Sequence, residues 1–163
     1  MKRIGIGIVA LLLMVGCATQ QERAEQRAKM RQTVEAAIVS RQLRIDIKSM
    51  NAMRYGSKMV TPDFYLELRG DTLRSYLPYL GQVRRATIGG PSVGLNFEAP
   101  ILQYAESKPK ANKTRIELDV RSEEDAYHYF IEVYDTGEAL IRVRSQYRDP
   151  ISFDGYLTPV PER

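Results

Sequence analysis

The chain has 163 residues, 44% of them hydrophobic and 27% charged, a balance that excludes a disordered chain and suits one folded domain with a short extra segment. Its net charge of +4 is unevenly placed: residues 20–44 carry six basic and three acidic side chains, residues 45–163 sixteen basic and seventeen acidic ones. The folded part is nearly neutral, so no nucleic-acid partner is expected, because that would need a basic face on the domain itself.

Met1-Lys2-Arg3 forms a short basic start, and Ile4 to Val15 follow as an apolar stretch. About a dozen apolar residues are too few to cross a ~30 Å hydrocarbon core as a helix. They fit the removable h-region of a secretory leader, residues 1–16. The stretch closes with Leu13-Met14-Val15-Gly16-Cys17, which resembles the bacterial lipobox, with Met14 where Leu is commonest. That resemblance implies diacylglycerol on the Cys17 thiol, cleavage after Gly16 and a further acyl chain on the new amine. Cys17 is the chain's single cysteine, so no disulfide competes for it. Two or three acyl chains give stable anchoring where one does not. Ala18 follows, and residues 18–22 carry no acidic run. The expected location is the cell envelope: an outer-membrane lipoprotein facing the periplasm, in contact with the membrane through Cys17.

Residues 17–42 read as a lipidated tether and helix. From residue 20 onward Gln, Glu, Arg, Ala and Lys dominate, without Gly or Pro, all good helix formers. Met30, Val34, Ala37 and Ile38 make one stripe of helical period. The first half is expected to run free and the second half to dock on a domain.

After residue 42 the period changes from 3.6 to 2. Leu43, Ile45 and Ile47 alternate with polar residues, and so do Phe64, Leu66 and Leu68. Val93, Leu95 and Phe97 follow the same pattern, as do Ile116, Leu118 and Val120, then Tyr129, Ile131 and Val133, then Ile141 and Val143. These read as half-buried antiparallel strands. Turn signals fall between them at Gly70-Asp71, Gly89 to Ser92, Lys108 to Lys113, Glu123 to Asp125 and Asp135 to Glu138. Eight or nine short strands over residues 43–160 predict a mainly β fold: an antiparallel lipocalin-like barrel or closed sandwich, preceded by the tether helix.

Leu77-Pro78-Tyr79-Leu80-Gly81 resembles the signature of lipoproteins in the domain of unknown function 4251 family. Tyr65 and Leu66 match upstream. Tyr127, Val133, Gly137, Val143, Arg148, Phe153 and Gly155 match within a similar C-terminal stretch. The resemblance spans residues 45–157, with Leu80 where an aromatic is usual and Phe153 where Tyr is usual. It implies a lipid anchor and a β-rich domain of lipocalin-like topology, and brings no activity with it.

The chemistry-bearing residues are sparse. His128 is the only histidine, and without a G-x-S-x-G elbow it reads as structural rather than catalytic. One His and a lipidated Cys cannot supply a zinc site, and no calcium or phosphate loop is present. No metal, cofactor or catalytic residue is therefore expected, and the chain reads as non-enzymatic. Candidate binding residues are Arg142, Arg144 and Arg148, a basic strip able to hold an anion, together with His128, Tyr79 and Gly81. Pro78 fixes the backbone before Tyr79, and Gly81 is free to take positive φ, so the loop either presents an aromatic contact or plugs one barrel end. The leading expectation is a binding domain for a small amphipathic ligand or an envelope protein. The second is a structural accessory of the outer membrane without ligand, and the last a hydrolase. An open interior would favour the ligand, whereas a core filled by Phe64, Leu66, Leu95, Ile131 and Val143 would oppose it.

Overall fold

A computed structural model describes residues 2–85 and 94–160, with side chains from residue 20 onward. The side chains of the leader and Cys17 lie outside the described residues, as do Val93 and the loop expected at Gly89 to Ser92. Among the described residues no helix is long and apolar enough to cross a membrane.

One helix, α1 (Lys2–Val39), precedes nine strands. Its residues 20–29 are exposed on every side. Val34 and Ile38 are buried against the strands, and the Met30 thioether lies against Gly137. Arg31 bridges to Asp135 at 3.5 Å. Docking therefore begins at Met30, where the apolar stripe begins. The helix ends three residues before the expected boundary at 42. Ser40 turns its hydroxyl back to the Ala36 carbonyl at 2.7 Å, and Arg41 takes the left-handed conformation, φ 50°, that usually falls to glycine after a helix. The Arg41 side chain bridges to Asp71 at 3.0 Å and covers the Tyr104 ring at 4.2 Å.

The strands are β1 (Gln42–Ala52), β2 (Gly56–Met59), β3 (Tyr65–Arg69), β4 (Thr72–Pro78), β5 (Gly94–Lys110), β6 (Lys113–Arg121), β7 (Ala126–Tyr134), β8 (Glu138–Ser145) and β9 (Ile151–Thr158). From β3 onward each pairs with the next, always antiparallel. β9 returns to β1 through the register Arg44↔Thr158 to Ala52↔Ile151, which closes the sheet. β3 and β2 share one edge of β1, on residues Gln42–Asp46 and Ser49–Ala52 respectively. The result is a closed eight-stranded barrel with β2 as a short extension, which removes most free strand edges. Gly70, at φ 59°, supplies the positive angle that the two-residue β3–β4 connection requires.

Alternation sends one face of each of the eight barrel strands inward. Leu43, Ile45, Leu66, Leu68, Leu118, Ile131, Ile141 and Phe153 are all at most 1% exposed. α1 covers the barrel end that also carries the β3–β4, β5–β6 and β7–β8 turns. The opposite end carries the β4–β5, β6–β7 and β8–β9 connections. The loop expected at Lys108 to Lys113 shrinks to Ala111 and Asn112, because β5 runs on through Pro109 to Lys110. Pro109 is tolerated there because it lies in the half of β5 that has a strand on one side only.

Candidate functional site

The middle of the barrel is filled with buried apolar side chains. Leu66, Leu95, Ile131 and Val143 are buried, and Phe64 packs against the same core. Two interior hydroxyls form a chain that ends on the backbone. The Tyr129 hydroxyl, fully buried, donates to Ser75 Oγ at 3.1 Å, which donates to the Leu95 carbonyl at 2.7 Å. Burial pushes the Tyr129 phenol far above its ordinary range, so it remains a neutral donor inside the barrel.

The end opposite α1 is braced by its loops. Tyr79 folds back over Gly81, and its hydroxyl donates to the Gln82 carbonyl at 2.9 Å. Gly81 is not among the positive-φ glycines, which corrects the expectation of conformational freedom there. Its requirement is space, since a β-carbon would stand 2.5 Å from the Tyr79 hydroxyl. Tyr79 is half-buried against the core, as a plug would be, and burial raises its phenol above the ordinary value. The buried Asp149 carboxylate receives Arg84 at 3.0 Å and Arg54 at 3.4 Å. Asp125 accepts from the backbone nitrogens of Ala126, Gln146 and Tyr147.

The proposed basic strip is not one surface. Arg148 is 4% exposed, lies over the Tyr79 ring at 5.1 Å and bridges to Glu124 at 2.7 Å, so it is a brace of the loops opposite α1. Arg142 and Arg144 stand on the outer wall. Arg142 approaches Glu132 at 3.9 Å, and Arg144 lies over the Phe130 ring at 5.4 Å. Strand β8 ends at Ser145, and the turn beyond it carries Arg148 away from the other two. His128 is also on the outer wall, hydrogen-bonded through Nδ1 to Asp119 and edge-on to Phe130 at 4.3 Å. Glu132, on the same wall, is buried beneath Lys113 at 2.9 Å and Arg115 at 3.0 Å. The hydrogen bond from Lys113 leads in holding its carboxyl below the usual range.

The feature that sequence reasoning missed is an open mouth beside β5. Strand β5 pairs with β4 from Gly94 to Pro100 but with β6 only from Ile101 onward. The β6–β7 turn therefore stops short of the first half of β5. The gap is a cavity of about 370 Å³, walled by Asn96, Glu98 and Pro100 on one side and by Arg121 to Glu124 on the other. Its floor is the stacked pair Phe97 and Tyr127, with ring centroids 4.9 Å apart. Burial raises the Tyr127 phenol above its ordinary range. A second hollow of about 210 Å³ shares Arg121 to Glu124 and extends to Arg85 and Tyr147. Pro100, which demotes a central strand to an edge, was the available sequence signal. Among the described residues no group of three or more His, Cys, Asp or Glu side chains could hold a metal.

The family model for the domain of unknown function DUF4251 matches residues 25–157. The chain belongs to the DUF4251 family. A solved DUF4251 family protein from Bacteroides eggerthii DSM 20697 superposes with a TM-score of 0.63 at 12% identity, covering 81% of this chain and 89% of that one. At that identity the likeness shows a shared fold. No curated protein matches the chain. In this DUF4251 domain the stretch Leu77 to Gly81 carries the fold of Tyr79 over Gly81 at the end opposite α1.

Proposed function

We propose that this protein is an envelope lipoprotein, anchored through lipid on Cys17 to the periplasmic face of the outer membrane, whose barrel is a non-enzymatic binding domain for an envelope protein. The observation that carries the binding reading is the contrast between a packed interior and an open mouth. Leu95 and Ile131 fill the space that a ligand-carrying barrel leaves empty. The mouth instead offers about 370 Å³, a stacked aromatic floor and an exposed arginine at its rim, Arg121. The up-and-down strand order supports a lipocalin-like topology, and the filled interior argues against a small amphipathic ligand held in the lumen.

The test is native mass spectrometry of the protein extracted from its own envelope. The expected spectrum carries a second protein mass, lost in Asn96→Arg/Arg121→Glu, whose changes fall on exposed positions of the mouth. A spectrum of bare protein in both cases would leave the alternative, a structural accessory without partner. Anchoring is tested separately: Cys17→Ala should take up no labelled palmitate and leave the membrane fraction.

A further inference from the structure

We propose that the mouth takes an extended peptide segment of its partner, which adds as a strand to the free edge of β5 at Asn96 and Glu98; this rests on reading the mouth as the binding face.

In an antiparallel strand successive residues turn their N–H and C=O groups to opposite edges. The Ile101 N–H donates to the Asp71 carbonyl at 2.8 Å, on the β4 side. Counting back by twos, Ala99, Phe97 and Leu95 face β4, while Asn96 and Glu98 face the mouth. Strand β6 pairs only from Ile101 onward, so no described strand meets Asn96 or Glu98 on that edge. Two donors and two acceptors therefore point into a cavity of about 370 Å³.

The walls fit a strand. Side chains of an added strand would alternate inward and outward. Inward ones meet the Phe97–Tyr127 pair, which selects apolar residues. Outward ones meet the rim at Arg121 and Glu123, which selects polar ones. Main-chain hydrogen bonds then give affinity and the aromatic floor gives specificity, the division of labour in strand addition.

Among the described strands the other free edges are guarded. The second half of β5 has a register irregularity at Leu102 and carries Glu106, Lys108, Pro109 and Lys110, with Lys108 reaching Glu35 at 4.0 Å. The outer edge of β2 is four residues long and carries Lys58. Charges, proline and shortness are how proteins blunt an edge. At the mouth Pro100 removes one N–H from the edge, Asn96 and Glu98 keep theirs, and the Glu98 side chain is turned to Arg74 at 2.7 Å.

The experiment pans the full chain, purified in detergent, against a displayed library of random dodecapeptides. The expected winners alternate apolar and polar residues. Their binding slows amide exchange at Asn96 and Glu98, and Glu98→Pro, which removes a groove-facing N–H, weakens them about tenfold. Methylating alternate peptide nitrogens should weaken binding to the unaltered chain by a similar factor, a readout independent of how the proline variant folds. Winners that bind Glu98→Pro and the methylated backbone undiminished, yet fail on Arg121→Glu, would overturn strand addition while leaving the mouth as a binding face. A library that yields no binder, or amide protection that appears with rising protein concentration alone, would overturn it too.

Discussion

Tyr79 lies folded over Gly81, with its hydroxyl 2.5 Å from where a β-carbon on residue 81 would stand. The two residues of the signature are therefore one steric unit. Gly81→Ala should destabilise the barrel by about 1–3 kcal/mol through overpacking. Tyr79→Phe alone should cost about 1 kcal/mol, for the bonds its hydroxyl makes to the Gln82 and Asp149 carbonyls. Because the hydroxyl is the nearest clashing atom, the double variant should be more stable than the sum of the two predicts. Urea unfolding of the four proteins checks this, and strict additivity would refute the coupling.

Glu132 supplies a pH prediction. Its carboxyl is held below the usual range, first by the Lys113 hydrogen bond and then by Arg115. A lowered folded-state value means the contribution is present above the unfolded value and lost as pH falls through the folded one. Glu132→Gln should cost about 2–3 kcal/mol near neutrality. As pH falls below the ordinary carboxylate range the wild type should lose stability that the variant has already lost, so their melting curves converge.

The buried hydroxyl chain gives a prediction at the alkaline end. Burial raises the Tyr129 phenol, and the same cause pushes Tyr104 up to about 12. A raised value means stability is present below the ordinary phenol range and falls as pH climbs above about 10. Ultraviolet titration of the folded protein should leave both phenols neutral past the exposed ones. Ser75→Ala should cost about 1–3 kcal/mol, because Tyr129 loses its acceptor inside the barrel, and Tyr129→Phe should cost less.

A packed lumen also predicts what deletion does. Ile131→Ala should cost about 2–5 kcal/mol and open an apolar void. Xenon or benzene should bind that variant and not the wild type. Wild-type uptake would mean the interior is less filled than Ile131 and Leu95 make it.

Much of the fold could be read from period alone. Residues 43–47, 116–120 and 141–143 alternate strictly because one barrel face is dry and the other wet. The same rule misleads at Glu67 and Glu132, which point outward yet are buried, because Arg69 and Lys113 fold over them. Arg142, Arg144 and Arg148 look alike in sequence. Only the turn after Ser145 separates two wall residues from a buried brace. The mouth was illegible because no residue encodes it. It arises from the offset between two registers, β4 on the first half of β5 and β6 on the second. Phe97 reads as one more core position until that offset places it on a floor.

The pairing of Arg44 with Thr158 brings the chain into and out of the barrel side by side, at the end that α1 covers. A fluorescent protein fused after residue 160 would share the tether's pole and leave the far rim unobstructed. The start of β1 and the end of β9 lie close enough to be joined by a short linker, and new termini could then be opened at Ala111 and Asn112. Such a rewired chain would carry the same barrel on a different thread, and would ask whether the rim depends on where the polypeptide starts.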